Sequence, residues 1–173
     1  MLSFLKKRKP IDDRLYNKIL SLSRNKIFYI DFGLSDTFQN RIHLMFLHIS
    51  FLNIKIKQTN NYNSYQDFFQ ETFELMFKRI EQNMREIGYG DVTVNKKMKI
   101  LITTFYNILL KSENYYENTE IYKMTLFSDY LECNNKNKSE INPLLIQYFD
   151  KYAVFCLDLS LDNVIKGEFN FKY

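Results

Sequence analysis

Apolar residues recur at spacings of three and four along almost the whole chain, a period that belongs to helices packed on one another and to little else. Pro10 precedes a first helix over residues 11–24, with Ile11, Leu15, Ile19 and Leu22 on one face. A second helix, capped by Asp36 or Thr37 and reaching about Lys57, carries one stripe of Phe38, Ile42, Met45, Phe46, Ile49, Leu52 and Ile56. It carries another of Leu44, Leu47, Phe51 and Ile54. A helix apolar on two faces either lies at the centre of a bundle or offers a greasy surface to a partner, and central burial is the expectation.

A polar loop over residues 58–65 follows, and Ser64 is placed to cap a third helix with Phe69, Phe73, Met76, Phe77, Ile80, Met84 and Ile87 inward. Gly88 falls at that helix's C′ position, one residue past its end. A fourth helix from about Asn95 turns Met98, Leu101, Ile102, Phe105 and Leu109 inward and Lys96, Lys97 and Lys99 outward. A weaker fifth spans residues 118–131, and residues 134–138 read as a loop. Asn142 as cap with Pro143 at the first helical position starts a last long helix facing Leu145, Tyr148, Phe149, Tyr152, Cys156 and Leu159 inward. Short strands stay open at residues 92–94 and 168–171. The expected fold is all-α, a single-domain bundle of about six helices over residues 11–173, preceded by a basic arm over residues 1–10.

At 173 residues the chain is long enough for a core without metal or disulfide staples. Cys133 and Cys156 lie far apart and form no CxxC, so two reduced thiols are expected. No run reaches the roughly 18 apolar residues that a membrane-spanning helix needs; the nearest, residues 42–56, carries His43, His48, Ser50, Asn53 and Lys55. Residues 1–5 are too short for a secretory signal core, so a soluble or peripheral protein is expected. Residues 1–26 hold eight basic residues against two acids, a net +6, so the rest carries −2 of the chain's total of +4. A basic arm on a slightly acidic body suits contact with phosphate, in lipid headgroups or RNA, and the candidates are Lys6, Lys7, Arg8 and Lys9.

The usual signatures of catalysis are missing. His43 and His48 are five residues apart, about 140° around a helix, and do not converge on one metal. Gly88-Tyr89-Gly90-Asp91 lacks the further glycines and the preceding strand of a phosphate loop. No serine sits in a nucleophile elbow, and Glu71 and Glu74, three apart on a helix, have no Glu-x-x-His companions. The expectation is a protein that is not an enzyme and takes no cofactor or metal.

Two polar islands interrupt this pattern, residues 31–37 and 85–91, and they hold three of the four glycines. The first, Phe28-Tyr29-Ile30-Asp31-Phe32-Gly33-Leu34-Ser35-Asp36-Thr37 followed by Arg41 and Leu47-His48, resembles the first block of the ubiquinol-cytochrome c chaperone family. The second, Met84-Arg85-Glu86-Ile87-Gly88-Tyr89-Gly90-Asp91 followed by Val94, Lys96, Met98, Lys99 and Phe105-Tyr106, is similar to that family's Arg-Glu-x-Gly-x-Gly-Asp segment and the helix after it. The short basic start resembles bacterial members. The likeness covers about residues 1–110, with Ser35 standing where many members have proline.

The resemblance implies an assembly chaperone of the cytochrome bc1 complex that binds newly made cytochrome b, with a small partner subunit and the ribosome as further partners and no DNA. It implies a place at the cytoplasmic face of a bacterial inner membrane, or the matrix side in a mitochondrion. It marks Asp31, Gly33, Asp36, Thr37, Arg41, His48, Arg85, Glu86, Gly88, Gly90, Asp91, Lys96 and Lys99 as residues that hold the fold or touch a partner. Asp31, Asp36, Arg41, Arg85, Asp91 and Lys96 read either as a lattice of caps and ion pairs or as exposed contacts. Two other readings stay open: an RNA- or ribosome-associated helical module using the arm and the Lys96, Lys97, Lys99 face, and a small-ligand or haem-binding protein with His48 as ligand.

Overall fold

A computed structural model describes residues 13–58, 62–134 and 141–173. Lys6, Lys7, Arg8 and Lys9, with Pro10 and Ile11, lie outside the described residues. Eight helices run through those that are described: α1 (Arg14–Ser23), α2 (Ile27–Ile30), α3 (Phe38–Lys57), α4 (Tyr62–Ile87), α5 (Asp91–Glu113), α6 (Glu120–Ser128), α7 (Pro143–Asp158) and α8 (Leu161–Lys166). Six are substantial, and the four-residue α2 and six-residue α8 are too short to have shown a period. Among the described residues no strand forms: residues 92–94 are helical and 168–171 irregular, and one isolated bridge joins Leu34 to Cys133.

The expectation for the second helix holds. The 20-residue α3, about 30 Å long, is buried on every side from Ile42 to Ile54, with α1, α4, α5 and α7 against it. Its residues from Ile42 to Ile54 include no Asp, Glu, Lys or Arg, so nothing in that length has to reach solvent. Some of its buried polar groups are answered within the helix; the Ser50 hydroxyl, for one, donates to the Phe46 carbonyl at 2.7 Å. Aromatic rings fill both flanks. Toward α4 and α5, Phe46 meets Phe77 at 5.5 Å and Phe105 at 5.2 Å; toward α6 and α7, Phe51 stacks on Phe149 at 5.7 Å, and Phe149 on Phe127 at 4.9 Å.

Local cap chemistry sets several boundaries. The Thr37 hydroxyl accepts from the Asn40 amide at 3.1 Å, and Asn142 accepts from Leu144 with Pro143 at the first helical position. Three expectations need correction. α4 begins at Tyr62, so Ser64 lies inside it and does not cap it. Ile87 is exposed, because it ends α4 where only an open groove faces it. Ile102 is also exposed: the α5 core stripe runs Val94, Leu101, Phe105, Ile108 and Ser112, and Ile102 is turned about 100° from Leu101.

Candidate partner-binding groove

The first polar island is a corner between α2 and α3. Gly33 adopts φ 74°, a left-handed conformation open to glycine, and reverses the chain after α2. The extended residues beyond it pair with a segment about a hundred positions later: the Asn134 amide donates to Gly33 and the Ser35 amide to Glu132, both at 2.8 Å. Asn40, fully buried in the first turn of α3, ties the two together. Its Nδ2 donates to the carbonyls of Ser35 (2.7 Å) and Glu132 (2.8 Å), and its Oδ1 accepts from the Glu132 amide (2.9 Å). Asn40 does not stand out in the sequence. Its one signal is a side-chain amide in the first turn of a helix apolar on two faces, beside charged neighbours of stronger pattern.

Around this corner the motif residues take separate parts. Asp36 is not the helix cap; Thr37 is, because the carboxylate turns outward to Arg41. That pair is two-pronged, Nε to Oδ1 at 2.7 Å and a terminal nitrogen to Oδ2 at 2.9 Å, and its hydrogen bonds hold the Asp36 carboxyl below its ordinary pKa. The Arg41 guanidinium also sits over the Tyr29 ring, 5.6 Å from its centre. Burial raises the Tyr29 hydroxyl to about 12, and it donates to the Ser23 carbonyl at 2.8 Å. Asp31 is exposed, and its carbonyl accepts from the Asn142 side-chain Nδ2 at 3.2 Å.

The second island joins α4 to α5. The Tyr89 amide bonds back to the Met84 carbonyl at 3.1 Å and the Gly88 amide to Arg85 at 3.0 Å, the paired bonds of a Schellman motif, with Gly88 at φ 103° in the C′ place expected for it. Gly90 differs, with φ −70° at the N-cap of α5. Asp91 follows as the first residue of α5, not its cap, and pairs with Arg85, which also holds Glu81 at 2.9 Å. These carboxylates raise the Arg85 pKa, the Asp91 hydrogen bond first among the causes.

The two corners meet on one groove of about 310 Å³ between α1, α3 and α4. Leu20, Phe38, Ile42, Met45, Ile80 and Ile87 make its apolar floor and walls, and Arg24, Arg41, Asn83 and Glu86 bring polar groups to it. Arg41 comes from the first corner, Glu86 and Ile87 from the second. The α1 residues Tyr16, Leu20 and Arg24 were not singled out in sequence, since nothing there says which helix closes the far side. The groove suits a few apolar side chains framed by polar ones, and among the described residues no cluster of His, Cys, Asp and Glu gathers for a metal.

The other motif residues lie elsewhere. Lys96 and Lys99 are exposed on α5. His48 is wholly buried in α3: its Nδ1–H donates to the Leu44 carbonyl at 2.6 Å, and Nε2 accepts from the Tyr148 hydroxyl at 2.9 Å. Burial lowers its pKa to about 4 and keeps the ring neutral. With both nitrogens engaged and the ring buried, His48 offers no free nitrogen to an iron in this arrangement. His43 stands in a separate network between Gln39 and the Tyr130 carbonyl, so the two histidines do not converge, as expected.

Residues 30–126, more than half of the chain, match the sequence profile of a family described as ubiquinol-cytochrome C chaperone. No curated protein sequence matches the chain. In fold the chain is similar to the crystal structure of the Cbp3 homolog from Brucella abortus, with a TM-score of 0.75 and 23% identity over 94% of this chain and 89% of that one. Among the described residues no helix is long and apolar enough to cross a membrane.

Proposed function

This chain belongs to the ubiquinol-cytochrome C chaperone family, and from that premise we propose that it assists assembly of the cytochrome bc1 complex by holding newly made cytochrome b in the groove between α1, α3 and α4. The observation that carries the reading is the convergence of two motif blocks: the segments that mark the family lie far apart in sequence yet supply Arg41, from the start of α3, and Glu86 and Ile87, from the end of α4, to one groove. An apolar floor framed by charge suits the end of a membrane segment, where apolar side chains give way to polar ones. The work is binding and release, not bond making, at the membrane face where cytochrome b emerges, the cytoplasmic face in a bacterium.

Leu20 and Ile87 line the groove without being fully buried, so charging them tests it without emptying the core. Leu20→Glu and Ile87→Glu are expected to lower recovery of cytochrome b in pull-downs from detergent-solubilised membranes by about tenfold each, as loss of a central apolar anchor does, while the thermal melt stays near the parent's. Parent-like recovery by both variants refutes the groove. A deletion strain with a normal level of bc1 complex refutes the role.

A further inference from the structure

The outward face of α5 has the wrong composition for a merely solvated surface. Val92, Ile100, Tyr106 and Leu110 are 85%, 55%, 48% and 61% exposed, on a helix that already buries Leu101, Phe105 and Ile108 on its other side. At 100° per residue, Val92, Lys96, Lys99, Tyr106 and Leu110 fall within about 40° of one line, and Ile100 lies at its margin. That line runs about 27 Å from Val92 to Leu110. Single exposed apolar residues are ordinary on a protein surface; a file of them along one helix is not.

The charge on this face has one sign. From Val92 to Ser112 the helix carries Lys96, Lys97, Lys99 and Lys111 and no acid. The acids at its two ends are engaged by other helices, Asp91 by Arg85 and Glu113 by Lys57. Among the described residues neither Lys96 nor Lys99 forms an ion pair.

We infer that the outward face of α5 lies flat on an anionic lipid surface, with Val92, Ile100, Tyr106 and Leu110 dipping below the headgroups and Lys96 and Lys99 reaching the phosphates. The inference rests on the reading of the chain as a chaperone working at a membrane, and it assigns that contact to a face apart from the client groove. Charge complementarity selects the occupant: uncompensated lysines interleaved with aliphatic side chains need anionic groups and an apolar layer at adjacent depths, and the headgroup boundary of a bilayer provides both. RNA would satisfy the lysines and leave the aliphatic chains with nothing to cover them, since stacking on bases needs rings and this line has only Tyr106.

The test uses the full chain and vesicles of phosphatidylcholine with and without phosphatidylglycerol. Lys96→Glu/Lys99→Glu alters only exposed side chains, and Tyr106→Ser/Leu110→Ser alters half-exposed or exposed ones, Tyr106 also resting on Phe73. Each is expected to lower partitioning onto the anionic vesicles by about tenfold or more, with an unchanged melt for the lysine pair, a folded melt for the other, and unchanged capture of cytochrome b in detergent. The chain contains no tryptophan. Tyr106→Trp is therefore a single reporter, and brominated phospholipid in the vesicles should quench it. Parent-like sedimentation of both double variants, or an unquenched reporter on bound protein, overturns the inference. So does a face that proves to hold a single-stranded RNA probe in place of lipid, or to pair two copies so that Tyr106→Ser/Leu110→Ser converts a dimer to a monomer. Loss of cytochrome b capture by the groove variants with vesicle binding intact bears on the client reading alone; loss of vesicle binding by the α5 variants with capture intact bears on this face alone.

Discussion

Asn40 carries more of the first corner than any charged residue of the island, and its removal has a cost that follows from its partners. In Asn40→Ala the Glu132 amide loses its acceptor, and the two carbonyls each lose a donor. The carbonyls are not left bare: Glu132 O still accepts from the Ser35 amide at 2.8 Å, and Ser35 O from the Thr37 amide at 2.9 Å. The main penalty is one orphaned amide, about 1–3 kcal/mol, with the two lost bonds adding about 0.5–1 kcal/mol each, for roughly 3 kcal/mol together. For a chain of this size that is a fall in Tm of about 6–12 °C, read by circular dichroism at pH 7. Asn40→Asp tests the polarity of the contact. Its carboxylate would face the two carbonyl oxygens, so its folded pKa would rise above the unfolded value of about 3.9. A group with a raised folded pKa is least harmful below its unfolded pKa, and stability falls as pH rises through the folded one. Asn40→Asp should therefore melt below Asn40→Ala at pH 7 and approach it near pH 4. An Asn40→Ala melt within about 1 °C of the parent, or an Asn40→Asp penalty that ignores pH, would refute the reasoning.

Two further outcomes follow from buried groups and tight backbone. His48 has a folded pKa of about 4 against about 6.5 unfolded, so protonation favours the unfolded chain and stability drops as pH falls from about 6.5 toward 4, by up to roughly 3 kcal/mol. In urea titrations across that range the gap between the parent and His48→Gln should narrow as pH falls, and a constant gap counts against a buried neutral ring. Gly167 ends α8 at φ 63°, and an added Cβ would stand 2.9 Å from the Arg14 carbonyl carbon, whereas one at Gly88 meets nothing within 4 Å. Gly88→Ala should cost about 1 kcal/mol of left-handed strain and Gly167→Ala clearly more, so equal denaturation midpoints would show that the end of α8 does not approach the Arg14 backbone at the start of α1 this closely.

The helical fold was legible where pattern and cap chemistry are local. α3 announced its central place through two apolar stripes, Thr37 and Asn142 their helix starts, and Gly88 its C′ turn. The losses share one physical cause, that what decides each lies outside the periodic pattern. Asp36 looked as good a cap as Thr37 until Arg41 claimed its carboxylate. Ile87 and Ile102 fit their stripes, but period alone does not say which edge of a stripe another helix covers. The docking of residues 131–134 beside the first island spans about a hundred positions and leaves no periodic trace. Of the groove, the corner residues were legible through family resemblance; the α1 wall was not, because nothing in the spacing of Tyr16, Leu20 and Arg24 says what they face.

The family motif thus divides into two kinds of residue that a sequence presents as one. Gly33 and Gly88 act through the backbone and Thr37 through its capping hydroxyl: they fix where α3 begins and α4 ends, and so set the walls between which the groove opens. Asp36, Arg41, Arg85 and Asp91 form pairs with 41–78% of their side chains exposed, and screened pairs of that kind add little to stability. Their value has to be sought in what they present. Arg41 is held in place by Asp36 and Tyr29 before any client arrives, so it enters the groove with little ordering left to lose. α4 stands between the groove on one side and α5 on the other, so a chaperone resting on lipid through α5 would keep its client groove clear of the surface it rests on.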